Sequence, residues 1–197
     1  MKQKPALLAV ASVSLLFLAP QLVVVQPAKA EVLPVIHPLK DATWDESGSS
    51  PYDDPADSNY VGKSKSATFG VQKTAIQFQL PNTISGTIKK ATLRIHINKV
   101  NDEDPASDPY VSVYGSSDDS WTATFPLGAS DTALYDHVGG LAAGWKEFVV
   151  TDYVKSQLTD KVATFALLGN DSGIRLEFLV DSDTSAFPPE LVLEVGP

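Results

Sequence analysis

The sequence predicts an all-β protein, a single-domain β-sandwich of jelly-roll type with one short helix. Several segments alternate apolar and polar residues with a period of two, which is typical of strands that bury one face. Clusters of proline, glycine, aspartate and serine separate these segments at fairly even spacing. The chain has 197 residues and no cysteine, so we expect a packed core without disulfides to hold the fold together.

The N-terminal segment, residues 1–30, is predicted to be an export signal and not part of the fold. Lys2 and Lys4 precede the apolar run ALLAVASVSLLFLA, and the segment closes with an A-x-A cleavage site at 28–30. The alternative is an uncleaved membrane anchor. After cleavage, we expect residues 31–197 to be a secreted, extracellular bacterial protein with no membrane contact.

The chain is acidic, which argues against two classes of partner. Its formal net charge is −9, and loss of the three lysines in the export signal makes the charge three units more negative, −12. Nucleic acids and anionic membrane surfaces attract basic proteins, so we expect neither as a partner.

Two neighbouring segments show the strand pattern most clearly. In AIQFQL, Gln77 and Gln79 alternate with apolar side chains, and in TLRIHINKV, Arg94 and His96 do the same. Each segment is therefore expected to turn one face to the core and a polar face to solvent. Further strands are predicted in YVSVYG, WKEFVV, FALLGN, IRLEFLV and LVLEV.

One segment, TDYVKSQL, predicts a helix of about two turns. Thr151 is a suitable N-cap, and Asp152 places a negative charge in the first turn. Val154 and Leu158 are four residues apart, so they lie on one side of such a helix.

The stretch VYGSSDDSWTATF places two aspartates beside a tryptophan. Paired carboxylates can form a glycosidase site, but the side chains of adjacent residues on an extended chain point to opposite sides. The pattern favours a structural role, in which Asp118 and Asp119 accept hydrogen bonds from backbone donors in a turn and Trp121 covers the rim of the core. A partner acid from elsewhere in the chain keeps the catalytic alternative open.

The order of these segments resembles the DNRLRE-type domain family, secreted bacterial and archaeal jelly rolls that include carbohydrate-binding module family 96. The matching pieces, in chain order, are LKDATWDE, SNYVG, KTAIQFQL with IKKATLRIHI, VYGSSDDSWTATF, WKEFVVTDYVKSQL and FPPELVLEV. The chain departs from the family in FPLGAS and FLVDSDTSA, both in loops, and in the insertion of Val61. The resemblance implies a module that binds carbohydrate and performs no chemistry.

Sugar sites combine aromatic rings with side chains that hydrogen-bond hydroxyl groups or pair with carboxylates. The polar strand faces supply residues of both kinds, provided that they lie on one sheet. The candidates are Arg94, His96, Tyr110, Tyr114, Gln77, Gln79 and Arg175. The alternative is that they form an ordinary solvated sheet face.

A less favoured hypothesis gives His96 a catalytic role. Some polysaccharide lyases of jelly-roll fold use a histidine and a tyrosine near an arginine to neutralise a uronate and move a proton. His96 lies close in sequence to Arg94, and Tyr110 and Tyr114 share a face of the following strand.

The aspartate-rich loops contain the candidates for a metal site. Calcium takes six to eight oxygen ligands, and Asp41, Asp181 and Asp183 are the acids we consider first. No loop matches an EF-hand. The residues themselves favour solvated turn acids, and the resemblance adds a structural Ca²⁺ as the alternative.

Taken together, the residues and the resemblance predict a non-catalytic protein that attaches to an extracellular or cell-wall polysaccharide. The alternative from another class is a structural protein of a cell surface or biofilm matrix, which would act by self-association. The lyase hypothesis stands third.

Overall fold

The computed structural model describes residues 29–46, 51, 58–64, 69–102, 109–169, 176–181 and 186–197. Most of the predicted export signal therefore lies outside the described residues. The strands are β1 (Glu31–Val32), β2 (Pro38–Trp44), β3 (Ser58–Lys63), β4 (Val71–Gln79), β5 (Thr87–Asp102), β6 (Val111–Ser116), β7 (Ala133–Val138), β8 (Gly144–Val149), β9 (Val162–Gly169), β10 (Leu176–Asp181) and β11 (Glu190–Gly196). The helix α1 spans Thr151–Ser156.

The first sheet is built around β5, a strand of 16 residues. β8 pairs along one side of β5, and β11 and β10 follow one another along its other side. β1 extends this sheet beyond β11, and β3 extends it beyond β10. All of these pairs are antiparallel.

The second sheet has the order β2-β4-β9-β6-β7 and is also antiparallel. The end of β3 pairs with the start of β4, so this strand belongs to both sheets and joins them along one side. The predicted fold class, an all-β sandwich of jelly-roll type with one short helix, is confirmed.

The main core lies between the two sheets. Leu93, Ile95 and Ile97 of β5 face it from the first sheet, and Ile76 and Phe78 of β4 face it from the second. Each of these side chains is at most 1% exposed, and burial of one such side chain contributes roughly 1.5–3 kcal/mol. The alternation in the two segments therefore predicted the inward faces correctly.

Helix α1 is shorter than predicted and begins differently. Val150 occupies the N-cap position without a side-chain cap, so the prediction of a Thr151 cap is wrong. The Thr151 hydroxyl instead accepts a hydrogen bond from the Ala91 backbone N–H at 3.0 Å, which ties the helix to β5. Within the described part of the chain, no helix is long and apolar enough to cross a membrane.

Tyr153 of α1 closes one end of the second sheet. Its hydroxyl oxygen lies 2.9 Å from the Ser116 carbonyl oxygen and 2.6 Å from that of Thr164, and it accepts a hydrogen bond from the Thr164 N–H at 3.1 Å. The ring lies so close to Gly115 that a Cβ there would come within 2.4 Å of it. Burial raises the pKa of the Tyr153 phenol above its ordinary value.

Candidate functional site

The polar residues predicted to bind sugar do not share one face of the molecule. Arg94 and His96 lie in β5, on the outer face of the first sheet. Four others lie on or beside the second sheet: Gln77 and Gln79 in β4, Tyr114 in β6, and Tyr110 just before β6. Arg175 is among the residues that the structure does not describe. The condition that they lie on one sheet is therefore not met by the described residues, because alternation assigns a residue to a face of its strand but does not assign the strand to a sheet.

Gln77 shows a second departure from the predicted polar face. It is 3% exposed, and its side-chain amide donates to the Asp119 carbonyl oxygen at 2.8 Å and to Thr164 Oγ1 at 2.9 Å. The expectation of an open face at Gln77 is wrong because the loop that follows β6 covers this part of the second sheet.

The remaining predicted residues of the second sheet lie at its surface but apart from one another. Gln79 is exposed and donates to the Lys161 carbonyl oxygen at 2.7 Å. The Tyr110 ring packs against His137 with 4.1 Å between centroids. Tyr114 is half-buried and pairs with Ala166 of β9. A role for Gln79, Tyr110 and Tyr114 in binding sugar stays a prediction.

The two aspartates of the Asp-Asp-Ser-Trp motif hold residues 117–128, the covering loop, in place. Asp118 Oδ1 accepts hydrogen bonds from the backbone N–H and the hydroxyl of Ser120, both at 3.0 Å, which confirms the predicted turn. Asp119 Oδ1 accepts one from Thr164 Oγ1 at 2.6 Å, so the predicted backbone donor for this residue is wrong: its partner is a side chain of β9. Burial, followed by the charges of Asp160 and Asp118, raises the pKa of the Asp119 carboxyl. The two carboxylates have different partners, as a structural role requires.

Trp121 anchors the covering loop on the outer face of the second sheet. It is 5% exposed, and its ring meets the edge of Trp44 with 5.2 Å between centroids. Lys40 Nζ lies 3.9 Å from the Trp121 ring centroid and donates to the Trp121 carbonyl oxygen at 2.9 Å. Trp121 therefore belongs to a small second core, with Trp44, Ala42, Ala75 and Phe125, and not to the rim of the main core as predicted.

Three rings form a row on the outer face of the first sheet. We call His96, Trp145 and Phe187 the aromatic platform. His96 and Trp145 are opposite each other in the β5–β8 pair, and their ring centroids are 5.2 Å apart in an edge-on arrangement. Phe187 stacks on His96 with 4.7 Å between centroids and 27° between ring planes.

Arg94 holds the platform from one side. Its guanidinium carbon lies 4.7 Å from the Trp145 ring centroid. Its Nε pairs with Glu147 Oε1 at 3.1 Å, and its Nη1 makes a close ion pair with Glu190 Oε2. The Arg94 side chain is 29% exposed. These contacts fix the guanidinium between β8 and β11.

The outer face of the first sheet brings together the kinds of side chain that sugar sites use. A flat ring packs against the apolar face of a sugar, while nearby polar side chains exchange hydrogen bonds with its hydroxyl groups. Phe187 is 49% exposed, and the Glu147 side chain is 58% exposed, so an aromatic side chain and a hydrogen-bond acceptor both reach the surface here.

The sequence pattern points to two of these residues and misses two others. Arg94 and His96 were identified by alternation. Trp145 carries the same signal, because it shares one face of β8 with Glu147 while Phe148 lies on the other face and is buried. Phe187 precedes two prolines in a loop, where no periodicity exists to identify it.

The structure adds nothing in favour of the predicted calcium site. Asp41 is half-buried in β2, opposite Ile76. Asp181 is the last residue of β10, where the backbone alone is described, and Asp183 lies outside the described residues. Among the described side chains, no three histidines or acids come together as a metal would require. A structural Ca²⁺ stays a prediction.

Comparison with known sequences gives one family. The sequence model of carbohydrate-binding module family 96 matches residues 35–195, which include the whole aromatic platform. None of the curated proteins matches the chain.

Among solved structures, one similar chain is the N-terminal endo-1,4-beta-D-xylanase 10B of Clostridium thermocellum, solved as its CBM22-1 and GH10 modules complexed with xylohexaose. The identity is 10% and the TM-score 0.28, over 81% of this chain and 29% of that chain. The protein described here thus spans less than a third of the length of that chain. At this TM-score, the likeness carries no information about the site.

Proposed function

Because the chain belongs to carbohydrate-binding module family 96, we propose that it is a secreted, non-catalytic protein that attaches to an extracellular or cell-wall polysaccharide through the aromatic platform. The observation that carries the proposal is the row of His96, Trp145 and Phe187, with Arg94 fixed against it. Binding retains the protein on the glycan and changes no covalent bond.

The contacts around the platform favour binding because they hold its side chains before a ligand arrives. Immobilising a side chain at an interface costs about 0.5–1.5 kcal/mol. His96 is already stacked on Phe187 and bonded through Nδ1 to Asn98 Oδ1 at 3.1 Å. Arg94 is held by Glu147 and Glu190. Binding of a sugar here therefore costs little additional side-chain entropy, because His96 and Arg94 are already held in place.

The arrangement supports a binding role over the lyase hypothesis. His96 lies on the outer face of the first sheet, whereas Tyr114 lies in the second sheet and Tyr110 just before β6. The main core separates the two sheets. The histidine, the arginine and these two tyrosines therefore do not meet around one substrate.

The first experiment is affinity electrophoresis of the protein through gels that contain single polysaccharides. We expect one glycan to retard the wild type and Phe187→Ala to weaken that retardation at least fivefold, because a stacked ring contributes about 1 kcal/mol or more. Phe69→Ala is the matched control: Phe69 is 41% exposed, against 49% for Phe187, but belongs to the turn before β4. Its retardation should equal that of the wild type.

Thermal unfolding of both variants separates binding from stability. We expect each to unfold close to the wild type, since both rings are largely at the surface. Equal retardation of Phe187→Ala and wild type on every glycan that binds would contradict the proposed surface.

A further inference from the structure

A cleft lies where β4 turns into β5, beside the end of α1. Its volume is about 460 Å³, which is within the range of sites that hold small organic molecules. We infer that it binds an organic anion, a carboxylate carried on an aliphatic chain. We call it the lysine cleft, and the residues that carry the argument are Ile84, Thr87, Ile88, Lys155, Leu158 and Lys161.

The lining of the lysine cleft is partly apolar and continuous with the main core. Ile88 is 2% exposed and belongs to that core. Ile84 and Leu158 are half-buried and pack against it. An aliphatic chain that covers these side chains removes apolar surface from water, and each methylene group buried in this way strengthens binding. The cleft thus has a place for the chain of such a ligand.

The charged side chains that line the cleft are both positive. Lys155 is in the last turn of α1, and Lys161 follows the helix, just before β9. Among the described residues, no acid lines the cleft, and neither ammonium pairs with a carboxylate. A ligand carboxylate therefore gains charge-assisted hydrogen bonds here without having to displace an acid of the protein.

The charges beside the cleft do not cancel this attraction. Lys89 is next to Ile88 in the chain, and its Nζ donates to the Pro197 carbonyl oxygen at 2.6 Å. Asp160 precedes Lys161, but its charge reaches Asp119 at the end of the second sheet. The formal charge of the whole chain, −9, repels anions at long range. Salt screens that repulsion beyond about 8 Å under physiological conditions, so contacts within the cleft decide the affinity.

The backbone of Lys161 has a conformation that lysine rarely adopts. Its φ is +67°, in the left-handed region where glycine is the usual residue. Its N–H donates to the Gln157 carbonyl oxygen at 3.0 Å, and its carbonyl oxygen accepts from the Leu80 N–H at 2.8 Å and from Gln79 Nε2 at 2.7 Å. A lysine held at such a position costs stability, and strain of this kind is concentrated at functional sites. The side chain that this strained residue supplies is one of the two cations of the cleft.

The test divides the ligand into its two parts. Hexanoate has both a carboxylate and a chain, acetate has the carboxylate, and 1-hexanol has the chain with a neutral head group. We expect hexanoate to bind at least about threefold more tightly than either, because only hexanoate contacts both the apolar side chains and the ammoniums. Titration followed by amide chemical shifts gives the three dissociation constants, and the shifts should be largest in residues 82–88 and 155–161. Equal binding of 1-hexanol and hexanoate, or no binding of hexanoate, would overturn the inference.

Three variants connect the binding to the two ammoniums. Lys161→Gly removes one ammonium, and glycine adopts a positive φ without strain, so the affinity for hexanoate should fall about threefold while the thermal midpoint equals or exceeds that of the wild type. Lys155→Gln should lower the affinity to a similar extent. Lys90→Gln is the matched control, because it removes a positive charge from β5 outside the cleft and should leave the affinity unchanged. If the first two variants bind hexanoate as tightly as Lys90→Gln does, the ammoniums do not hold the ligand and the inference is wrong.

The lysine cleft shares no residue with the aromatic platform, so the two proposals fail separately. Glycan should retard Lys155→Gln and the wild type equally. If hexanoate does not bind but a glycan retards the protein, the cleft is wrong and the platform stands. If no glycan retards the protein but hexanoate binds as expected, the platform is wrong and the cleft stands.

Discussion

The phenol of Tyr153 meets three backbone groups at the point where α1 reaches the second sheet. Tyr153→Phe leaves the Thr164 N–H and two carbonyl oxygens without this partner. Because an unsatisfied buried polar group costs about 1–3 kcal/mol, we expect the free energy of unfolding to fall by about 2 kcal/mol. Urea unfolding measures this loss.

Tyr114→Phe provides the matched control for that loss. Tyr114 is half-buried on the same sheet, and its hydroxyl makes no hydrogen bond to the described residues. The urea midpoint of Tyr114→Phe should stay near that of the wild type. A loss in Tyr114→Phe as large as in Tyr153→Phe would mean that the hydrogen bonds are not the cause.

Individual residues also show what alternation in a sequence can predict. The alternation placed Arg94 correctly, because the outer face of the first sheet is open at that position. The same pattern failed for Gln77, because a loop that starts about 40 residues further along the chain covers it. Periodicity describes one strand, whereas exposure depends on what packs upon that strand.

Among the elements, the covering loop is sensitive to pH through Asp119. Burial raises the pKa of this carboxyl above its ordinary value of 3.8, so the folded protein holds the proton more tightly than the unfolded chain does. Its ionisation therefore lowers the free energy of unfolding as the pH rises from the ordinary value through the folded pKa.

Asp119→Asn tests this effect. The amide oxygen can still accept the hydrogen bond from Thr164, but the side chain does not ionise. We expect the variant to gain stability relative to the wild type as the pH rises from about 3 to about 7. Urea unfolding across this range gives the difference, and a gain that is the same at every pH would argue against burial of the charge.

The elements differ in how far the sequence predicts them. β4 and β5 were predicted because apolar and polar side chains alternate over several residues of each. The start of α1 was not predicted, because the Thr151 hydroxyl accepts a hydrogen bond from Ala91 of β5, a contact between distant parts of the chain that the local pattern does not show. Trp145 was recognisable as the residue opposite His96 only once β8 was known to pair with β5.

At the scale of the whole molecule, the main core separates the aromatic platform from the cluster around Trp121. The aromatic platform lies on the outer face of the first sheet, and Trp121 lies on the outer face of the second. Trp121→Ala removes a large buried ring, so we expect the free energy of unfolding to fall by about 3–5 kcal/mol. Retardation by glycan should nevertheless be unchanged at temperatures where the variant is folded.

Denaturant unfolding of Trp121→Ala measures the predicted loss of stability. Affinity electrophoresis of the same sample measures whether retardation by the glycan is unchanged. A folded variant with weakened retardation would place the covering loop, and not the platform, at the glycan. Sequence alone did not show that Trp121 and Trp145 lie on opposite outer faces, because the pairing of β8 with β5 and the packing of the covering loop are not visible in the pattern.

The two long sides of the sandwich are closed by different kinds of bond. On one side, β3 runs from the first sheet into the second through its own main chain. On the other, Tyr135 of β7 reaches Val149 of β8, accepting from its N–H at 2.7 Å and donating to its carbonyl oxygen at 3.1 Å. A main-chain ladder breaks cooperatively, whereas a single side chain can rotate away by itself. We therefore expect amide hydrogens around Tyr135 and Val149 to exchange with solvent sooner than those in the β3–β4 pair, because the single side-chain contact can open without breaking a strand pair.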